Sequence, residues 1–292
     1  MCIPFENRIA RYNVTDTELS RVLDIDGYYH QCLGKKVPGT MAEIRHDLEE
    51  EGFLVRGHIT NYGVLMIGAT LIWVKGFERK TVRIKRYDGY DKIRSDKEYM
   101  QGYALSLPDI LRDVEDYGEA VRELIVNMVI HQDLEISGIR PKAEFFSDRI
   151  EFTNAGRMSV NPMRLVDTVP VSVNEHTASF IHRCGMCEER GAGYDRIMHY
   201  VIENKLRAPK VEDYGGWYTK VTLYTAESSF RKMTSDEEVY ACYMTACYKH
   251  ENTAEQTMYV SDVGDPFIIR NTVNAGLIKP ASGQDAYVPY WA

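Results

Sequence analysis

The sequence predicts an α+β protein in which helices pack on a mixed, mainly antiparallel sheet. Residues 118–133 place apolar side chains at the spacing of an amphipathic helix. Residues 143–156 alternate apolar and polar side chains on both sides of Ser147 and Asp148, which is the pattern of a β-hairpin. Residues 215–225 form a further strand-like run. Together these patterns predict a helix-covered sheet at the centre of the chain.

The other elements follow from periodicity and turn residues. Before the central region we predict helices at 16–33 and 40–52, a buried apolar segment at 58–74, a strand at 80–89, and a helix at 107–116 with Pro108 in its first turn. After the hairpin we predict helices at 172–184, 193–204, 235–249 and 266–275, then a strand, a turn and a strand at 276–291. We expect three modules, 1–114, 115–227 and 228–292, with a linker at 226–230.

Composition and charge argue against several classes of protein. The net charge of −8 argues against broad, non-specific nucleic-acid binding. The longest apolar run, residues 64–74, is far shorter than the ~20 residues of a membrane helix. No secretory signal is visible, so we expect a cytoplasmic protein with reduced cysteines. Cys184 and Cys187 form a single C-x-x-C pair, for which packing is the favoured role and redox chemistry the alternative.

Three polar residues recur at four-residue intervals on the helix predicted at 118–133. Glu123, Asn127 and His131 fall on one face of that helix, apart from the apolar stripe. The face presents a carboxylate, a neutral oxygen ligand and an imidazole. Taken alone, such a face is more often the ordinary polar side of an amphipathic helix. For His131 the alternatives are a water or phosphate contact and, as we favour, a C-terminal residue stabilised by the helix dipole.

Two short segments and one residue downstream of that helix are further candidates. Asn154-Ala-Gly156 ends a predicted strand, Gly191-Ala-Gly193 precedes a predicted helix, and Thr222 lies in the strand predicted at 215–225. A turn of small residues before a helix leaves backbone N–H groups free to face phosphate. A lone G-x-G is more often a plain turn, but its combination with Glu123 and Asn127 is more specific.

Four stretches resemble a known family: RELIVNMVIHQD, RIEFTNAGRM, SVNEHTASFIHRCGMCEERGAGYDRI and WYTKVTLY. They resemble the divergent branch of the GHKL ATPases in RecG-related, Schlafen-AlbA-associated transcriptional regulators, over roughly residues 118–225. The resemblance implies a GHKL (Bergerat-type) α/β sandwich that binds ATP and Mg²⁺. It also implies a preceding α/β segment, the remnant of a Schlafen-AlbA-type region, and a C-terminal winged-helix module. The chain is then a naturally short version, a fragment, or a protein whose partner supplies the rest.

The resemblance also implies roles for individual residues. Glu123 matches the residue that orients or deprotonates the attacking water, and Asn127 matches the Mg²⁺ ligand, since an amide oxygen suits a hard cation. The other matches belong to nucleotide binding: Asn154 at the adenine-reading position, Gly156 beside the base, Gly191 and Gly193 in the phosphate loop, and Thr222 as a hydroxyl near the base.

Departures from the family pattern leave hydrolysis open. Asn154 replaces the usual Asp, although its amide still offers an acceptor and a donor to adenine. Arg157 replaces a small residue and either contacts phosphate or obstructs entry. Val173 stands where the family has an Arg, which removes a phosphate partner. Arg190, beside the predicted phosphate loop, pairs either with phosphate or with a carboxylate such as Glu188.

The charge of the last module weakens the case for DNA binding. Residues 231–292 contain five Lys and Arg against eight Asp and Glu. Only Lys249, Arg270 and Lys279 are candidates for phosphate contacts, whereas DNA-binding modules are generally basic. This charge favours contact with a protein, including a second copy of the chain, as the role of the predicted wing, and DNA binding is the less supported alternative.

Two function classes follow. The leading hypothesis is a Mg-ATP-binding regulatory protein, with slow hydrolysis left open, that acts as a homodimer or on a protein partner. The alternative is a DNA-binding transcriptional regulator or assembly module whose nucleotide site has decayed. A role in a defence or stress system would rest on analogy of fold alone. No G-x-x-x-x-G-K-[ST] motif occurs, so a P-loop helicase motor is not expected.

Overall fold

The computed structural model describes residues 3–89, 91–157, 173–186, 196–197, 200–201, 204, 206, 209–225, 235–283, 285–290 and 292. The helices are α1 (Asp16–Val22), α2 (Ile25–Gly27), α3 (Met41–Glu50), α4 (Asn61–Ile67), α5 (Tyr103–Asp113), α6 (Glu119–Ile130), α7 (Glu175–Arg183), α8 (Ser235–Asn252), α9 (Val260–Val263) and α10 (Pro266–Asn274). The strands are β1 (Ile9–Arg11), β2 (Leu54–Val55), β3 (His58–Thr60), β4 (Val82–Asp88), β5 (Lys92–Tyr99), β6 (Lys142–Phe145), β7 (Arg149–Ala155), β8 (Lys210–Asp213), β9 (Tyr218–Tyr224), β10 (Met258–Tyr259), β11 (Ile278–Pro280) and β12 (Ala286–Pro289).

The N-terminal part combines a small sheet, ordered β1-β3-β2, with short helices. The prediction of one helix at 16–33 is wrong, because Leu23 is extended and Asp24 begins a new turn by accepting a hydrogen bond from the Gly27 N–H. Aspartate side chains compete with helical hydrogen bonds in this way. The helix predicted at 40–52 is confirmed as α3, which begins with a capping box and is followed by Gly52 at φ +83°.

The central sheet has six strands in the order β5-β4-β6-β7-β9-β8. β4 and β6 run parallel, with Arg83 opposite Lys142, and the other neighbouring strands are antiparallel. The prediction of an α+β protein with a mixed sheet is therefore confirmed, and the hairpin predicted at 143–156 forms β6 and β7. The predicted boundary at residue 114 cuts through this sheet, because β4 and β5 precede that residue.

Helices α5 and α6 pack against each other, and α6 packs against β7. α5 begins at Tyr103, so the start predicted at residue 107 is wrong and Pro108 lies inside the helix. Proline lacks one helical hydrogen bond. The helix persists because its apolar face, including Tyr103, Leu107 and Ile110, is fully buried, and tertiary packing outweighs local propensity.

The remaining predicted elements follow in order. The helix predicted at 172–184 is α7, and the strand predicted at 215–225 is β9. Of the helix predicted at 193–204, residues 196–197 and 200–201 are described and are helical. The linker predicted at 226–230 lies outside the described residues.

The C-terminal elements run helix, strand, helix, helix, strand, strand. α8 and α10 confirm the helices predicted at 235–249 and 266–275. β11 and β12 confirm the predicted strand, turn and strand, and β12 lies between β10 and β11 in an antiparallel sheet. Across the part of the chain that the structure describes, no helix has both the length and the apolar character needed to cross a bilayer.

A buried lysine lies just before β4. Lys80 is 1% exposed, and its Nζ donates to the Ile136 carbonyl at 2.8 Å and lies 5.5 Å from the centroid of the Phe5 ring. Burial lowers the pKa of the Lys80 ammonium to about 8, and the nearby carboxylates of Asp133 and Glu135 oppose this shift only in part. The lysine therefore titrates in a range where the stability of the protein is measurable.

Stability should rise with pH because of Lys80. The folded state releases this proton near pH 8 and the unfolded state near pH 10.5, so the unfolded state binds more protons between these values. We expect the free energy of unfolding of wild type, relative to Lys80→Met, to increase by about 2 kcal/mol between about pH 7 and about pH 9.5. Urea denaturation of both proteins at both pH values measures this difference.

Lys85→Met is the matched control, because Lys85 lies on β4 and its side chain is 20% exposed. Relative to that variant, the change with pH should stay below about 0.5 kcal/mol. An equal pH dependence for Lys80→Met and Lys85→Met would show that Lys80 is not the group responsible.

Candidate functional site

α6 has the two faces that its sequence predicts. The apolar stripe is buried, with exposures of 4% or less at Val121, Leu124, Ile125, Met128 and Val129. On the other face, Glu123 and Asn127 are half-buried and His131 is exposed. The polar face therefore opens toward solvent at the C-terminal end of the helix.

Arg196 adds a charge to this face that the sequence analysis did not identify. Its Nη1 lies 4.0 Å from Glu123 Oε2, and both residues are half-buried, with 30% of the Arg196 side chain and 15% of the Glu123 side chain exposed. Arg196 follows Gly193 by three residues, and only its place beside that motif could have drawn attention to it. The carboxylate predicted to act on water thus has a guanidinium as a close neighbour.

His131 follows the last residue of α6, and its N–H donates to the Asn127 carbonyl at 2.9 Å. Desolvation by the surrounding protein lowers the pKa of the His131 imidazole, although the ring also reaches solvent. The lowered pKa leaves the ring neutral near pH 7, where it can both donate and accept a hydrogen bond. His131 is the C-terminal cap of α6, the place that the dipole interpretation requires, and both interpretations of His131 stay predictions.

Asn154 lies near the end of β7 and is held by the end of α6. Its Nδ2 donates to the His131 carbonyl at 3.2 Å. Because a carbonyl only accepts, this contact fixes which way the amide points. Among the described residues no donor reaches Oδ1, so the side chain presents an acceptor.

Gly156 is required by packing within the protein. Its φ is +99°, and a Cβ at this position would lie 2.5 Å from the Asp133 Cβ. The Gly156 N–H donates to the Trp217 carbonyl and its carbonyl accepts from the Thr219 hydroxyl, both at 2.9 Å. The glycine therefore ties β7, β9 and the loop after α6 together, which is a different reason from the approach to a base that the sequence suggested.

Thr222 does not lie with the other predicted residues. It is opposite Glu151 in the β7–β9 ladder, whereas Asn154 is opposite Thr219. Side chains alternate between the faces of a strand, so residues three positions apart point to opposite faces. Thr219, and not Thr222, shares the face of Asn154, whereas the resemblance had implied Thr222 as a hydroxyl near the base.

Arg157 pairs with the β8–β9 hairpin. Its Nε lies 3.3 Å from Asp213 Oδ2, and its guanidinium lies over Gly216. The side chain is 72% exposed. From the sequence, two roles were predicted for Arg157: contact with phosphate or obstruction of the pocket entrance. The ion pair with Asp213 adds a third role, since it links the end of β7 to the β8–β9 hairpin.

Asn174 is a structural residue that the sequence analysis quoted without giving it a role. It is 5% exposed, and its Nδ2 donates to the carbonyls of Ile130 and Gln132 at 2.8 and 2.7 Å. Both carbonyls lie at the C-terminal end of α6, and carbonyls at this end of a helix have no hydrogen-bond partner within the helix. Asn174 therefore fixes the segment that carries His131, and its place directly after Val173 was the available clue.

The remaining candidates are either outside the described residues or already bonded. Arg190, Gly191 and Gly193 lie outside the described residues. In the last module, Lys249 Nζ lies 3.1 Å from Asp262 Oδ1, and Lys279 Nζ donates to the Ala292 carbonyl at 2.6 Å. Arg270 lies over the Phe267 ring at 5.0 Å. Two of the three proposed DNA contacts thus have partners within the module.

Comparison with known proteins supports part of this picture. The family described as "Putative ATP-dependent DNA helicase recG C-terminal" matches residues 138–223. The match covers less than a third of the chain, includes Asn154 and Gly156, and leaves out α6. Residues 138–223 are therefore similar to an ATPase-like domain.

At the level of fold, the chain is similar to the crystal structure of the DIP2311 protein from Corynebacterium diphtheriae, with a TM-score of 0.58 and 14% identity. The similarity covers 98% of this chain but only 64% of that one, so this chain spans less than two thirds of that protein. At this identity the likeness concerns the fold alone. No curated protein matches the sequence.

Proposed function

We propose that this protein binds Mg-ATP between the end of α6 and the end of β7 and acts as a nucleotide-dependent regulator. The observation that carries the proposal is Asn154, whose Oδ1 is presented as an acceptor next to the polar face of α6. The match of residues 138–223 to an ATPase-like family supports it. The four sequence motifs that resemble GHKL ATPases support it as well.

The residues present suit each part of the ligand. Asn154 Oδ1 accepts from an exocyclic amino group such as that of adenine. Asn127 supplies a neutral oxygen for Mg²⁺, a cation that usually keeps several waters and binds phosphate oxygens. When bound, the metal neutralises charge on the phosphates. Glu123 is the residue that holds a water molecule for slow hydrolysis.

The proposed architecture is a GHKL-type sandwich followed by a winged helix. The mixed sheet with α6 and its neighbours on it supports the first part. The C-terminal order of helix, strand, two helices and two strands supports the second. A homodimer or a protein partner, as the resemblance implies, completes this proposal.

Regulation would pass through the N-terminal segment, which touches the elements around the site. Glu6 is 5% exposed, and its Oε1 accepts from the backbone N–H and the hydroxyl of Thr177, in the first turn of α7. Arg8 forms a bidentate pair with Glu135, in the loop after α6. A ligand that orders these elements would therefore also change how the segment docks.

Calorimetric titration with ATP, with and without Mg²⁺, tests the proposal. We expect Mg-ATP to bind at or below millimolar concentration. Asn154→Ala and Asn127→Ala should each weaken binding at least about tenfold, which is about 1.4 kcal/mol, and Asn127→Ala should also remove the dependence on Mg²⁺. Asn274→Ala, an exposed asparagine at the end of α10, is the matched control and should leave binding unchanged.

Absence of Mg-ATP binding at millimolar concentration would exclude this function. The alternative is a DNA-binding regulator with a decayed site, for which Arg270 on α10 is the remaining phosphate contact. Salt-dependent binding to duplex DNA that ATP leaves unchanged would favour that alternative.

A further inference from the structure

Two cysteines from distant parts of the chain lie side by side. The Tyr28 and Phe180 rings stack with their centroids 6.4 Å apart. Cys32 and Cys184 each follow one of these rings by four residues. The two thiols are near enough for the interaction between them to shift the pKa of both.

Both cysteines occupy the ends of ordered elements. Cys32 ends a π-helical turn, Tyr28–Cys32, and Cys184 is the C-terminal cap of α7. Both are half-buried and pack against the hydrophobic core. The Cys32 Sγ also lies 4.0 Å from the Ala104 carbonyl. The pair is thus held in place by packing, yet its exposure leaves it within reach of a small oxidant.

The two thiols differ in reactivity. The interaction with Cys32 and the charge of Arg183 hold the pKa of Cys184 below its usual value, against the effect of burial. The same interaction, together with burial, raises the pKa of Cys32. Because the thiolate is the nucleophile, Cys184 is the thiol that reacts first and Cys32 the one that follows. By contrast, burial raises the pKa of Cys242, in α8, to about 12.

We propose that Cys32 and Cys184 are a reversible thiol–disulfide site that a hydroperoxide oxidises. The Cys184 thiolate attacks the peroxide, the O–O bond breaks, and sulfenic acid and, for hydrogen peroxide, water are formed. The Cys32 sulfur then displaces this hydroxyl group, which leaves as a second water, and the S–S bond forms. In total, two thiols lose two electrons and two protons to one peroxide, and a dithiol reverses the reaction.

The bond would tether the end of α7 to the turn that begins at Tyr28. It would close a loop of about 150 residues, which restricts the unfolded chain strongly. The tether would also fix Cys184, the first cysteine of the C-x-x-C pair, whose second cysteine is Cys187. Cys187 is a competing partner for Cys184. The experiment must therefore identify which cysteine forms the disulfide with Cys184.

The test is oxidation of the folded full chain with equimolar hydrogen peroxide, followed by alkylation and non-reducing peptide mapping. We expect a peptide pair linked through Cys32 and Cys184, 2 Da lighter than the reduced pair. The melting temperature should rise by about 5 to 10 °C, and dithiothreitol should reverse both changes. A Cys184–Cys187 disulfide, or no linkage, would overturn the proposal.

Two variants make the assignment specific. Cys187→Ser should still form the linked pair, whereas Cys32→Ser should lose both the linkage and the rise in melting temperature. Cys242→Ser, which keeps a hydroxyl toward Thr272, is the control and should behave as wild type. Loss of the linkage in Cys187→Ser would show that the bond forms through that cysteine, contrary to the proposal.

Discussion

Replacement of Gly156 by alanine should lower the free energy of unfolding by about 3 kcal/mol. Two penalties add at this position. The backbone has φ +99°, which alanine adopts only with strain, and the new methyl group would meet the Asp133 Cβ at 2.5 Å. Asp133 cannot move freely, because its N–H donates to the Ala155 carbonyl at 2.8 Å. Urea denaturation followed by circular dichroism measures the loss.

Gly138→Ala is the matched control. Gly138 lies in the same loop as Asp133, its φ is outside the left-handed region, and a Cβ there would meet nothing within 4 Å. This variant should change stability by less than about 0.5 kcal/mol. If Gly156→Ala were as stable as Gly138→Ala, the close contact with Asp133 would not be a constraint on the fold.

The sequence predicts those parts of the fold in which local pattern and tertiary context agree. The β6–β7 hairpin has clear alternation around a two-residue turn, and α6 has a regular apolar stripe, so both are confirmed. β5 was not predicted because its sequence, KIRSDKEY, is mostly charged and exposed. Such charge is typical of an edge strand, which it is. The alternation that identifies a half-buried strand is weak there.

The pairing of strands that are distant in the chain could not be predicted from the sequence. The parallel pairing of β4 with β6 joins residues about 60 positions apart, and no local pattern specifies it. The boundary predicted at residue 114 therefore divides a single sheet. The same limit affected Thr222, since its face depends on a register that places Thr219 opposite Asn154.

Within the site, residue types were predictable but orientation was not. Periodicity alone placed Glu123, Asn127 and His131 on one face of α6. That Asn154 presents its oxygen depends on the carbonyl of His131, 23 residues away in the chain. Arg196 reaches Glu123 from a still more distant segment. The chemical character of the site is thus set by contacts that only the folded chain brings together.

Replacement of Asn174 by alanine should cost about 3 kcal/mol of stability and loosen the end of α6. The side chain donates to two buried carbonyls, Ile130 and Gln132, and alanine would leave both without these donors. The amide of His131, which bonds to Asn127, should exchange faster with solvent, because the helix end is no longer held. Denaturation and hydrogen exchange measure the two effects.

Two further variants test whether the loss of stability comes from the two buried hydrogen bonds of Asn174 or from the removal of any asparagine side chain. Asn204→Ala removes one bond to the Tyr200 carbonyl at an exposed position and should cost less than about 0.5 kcal/mol. Asn174→Asp keeps the size of the side chain but brings acceptors toward two carbonyls, so it should be at least as destabilising as alanine. If Asn174→Asp were as stable as wild type, the two hydrogen bonds would not be what holds α6, and the orientation of Asn154 through His131 would need another support.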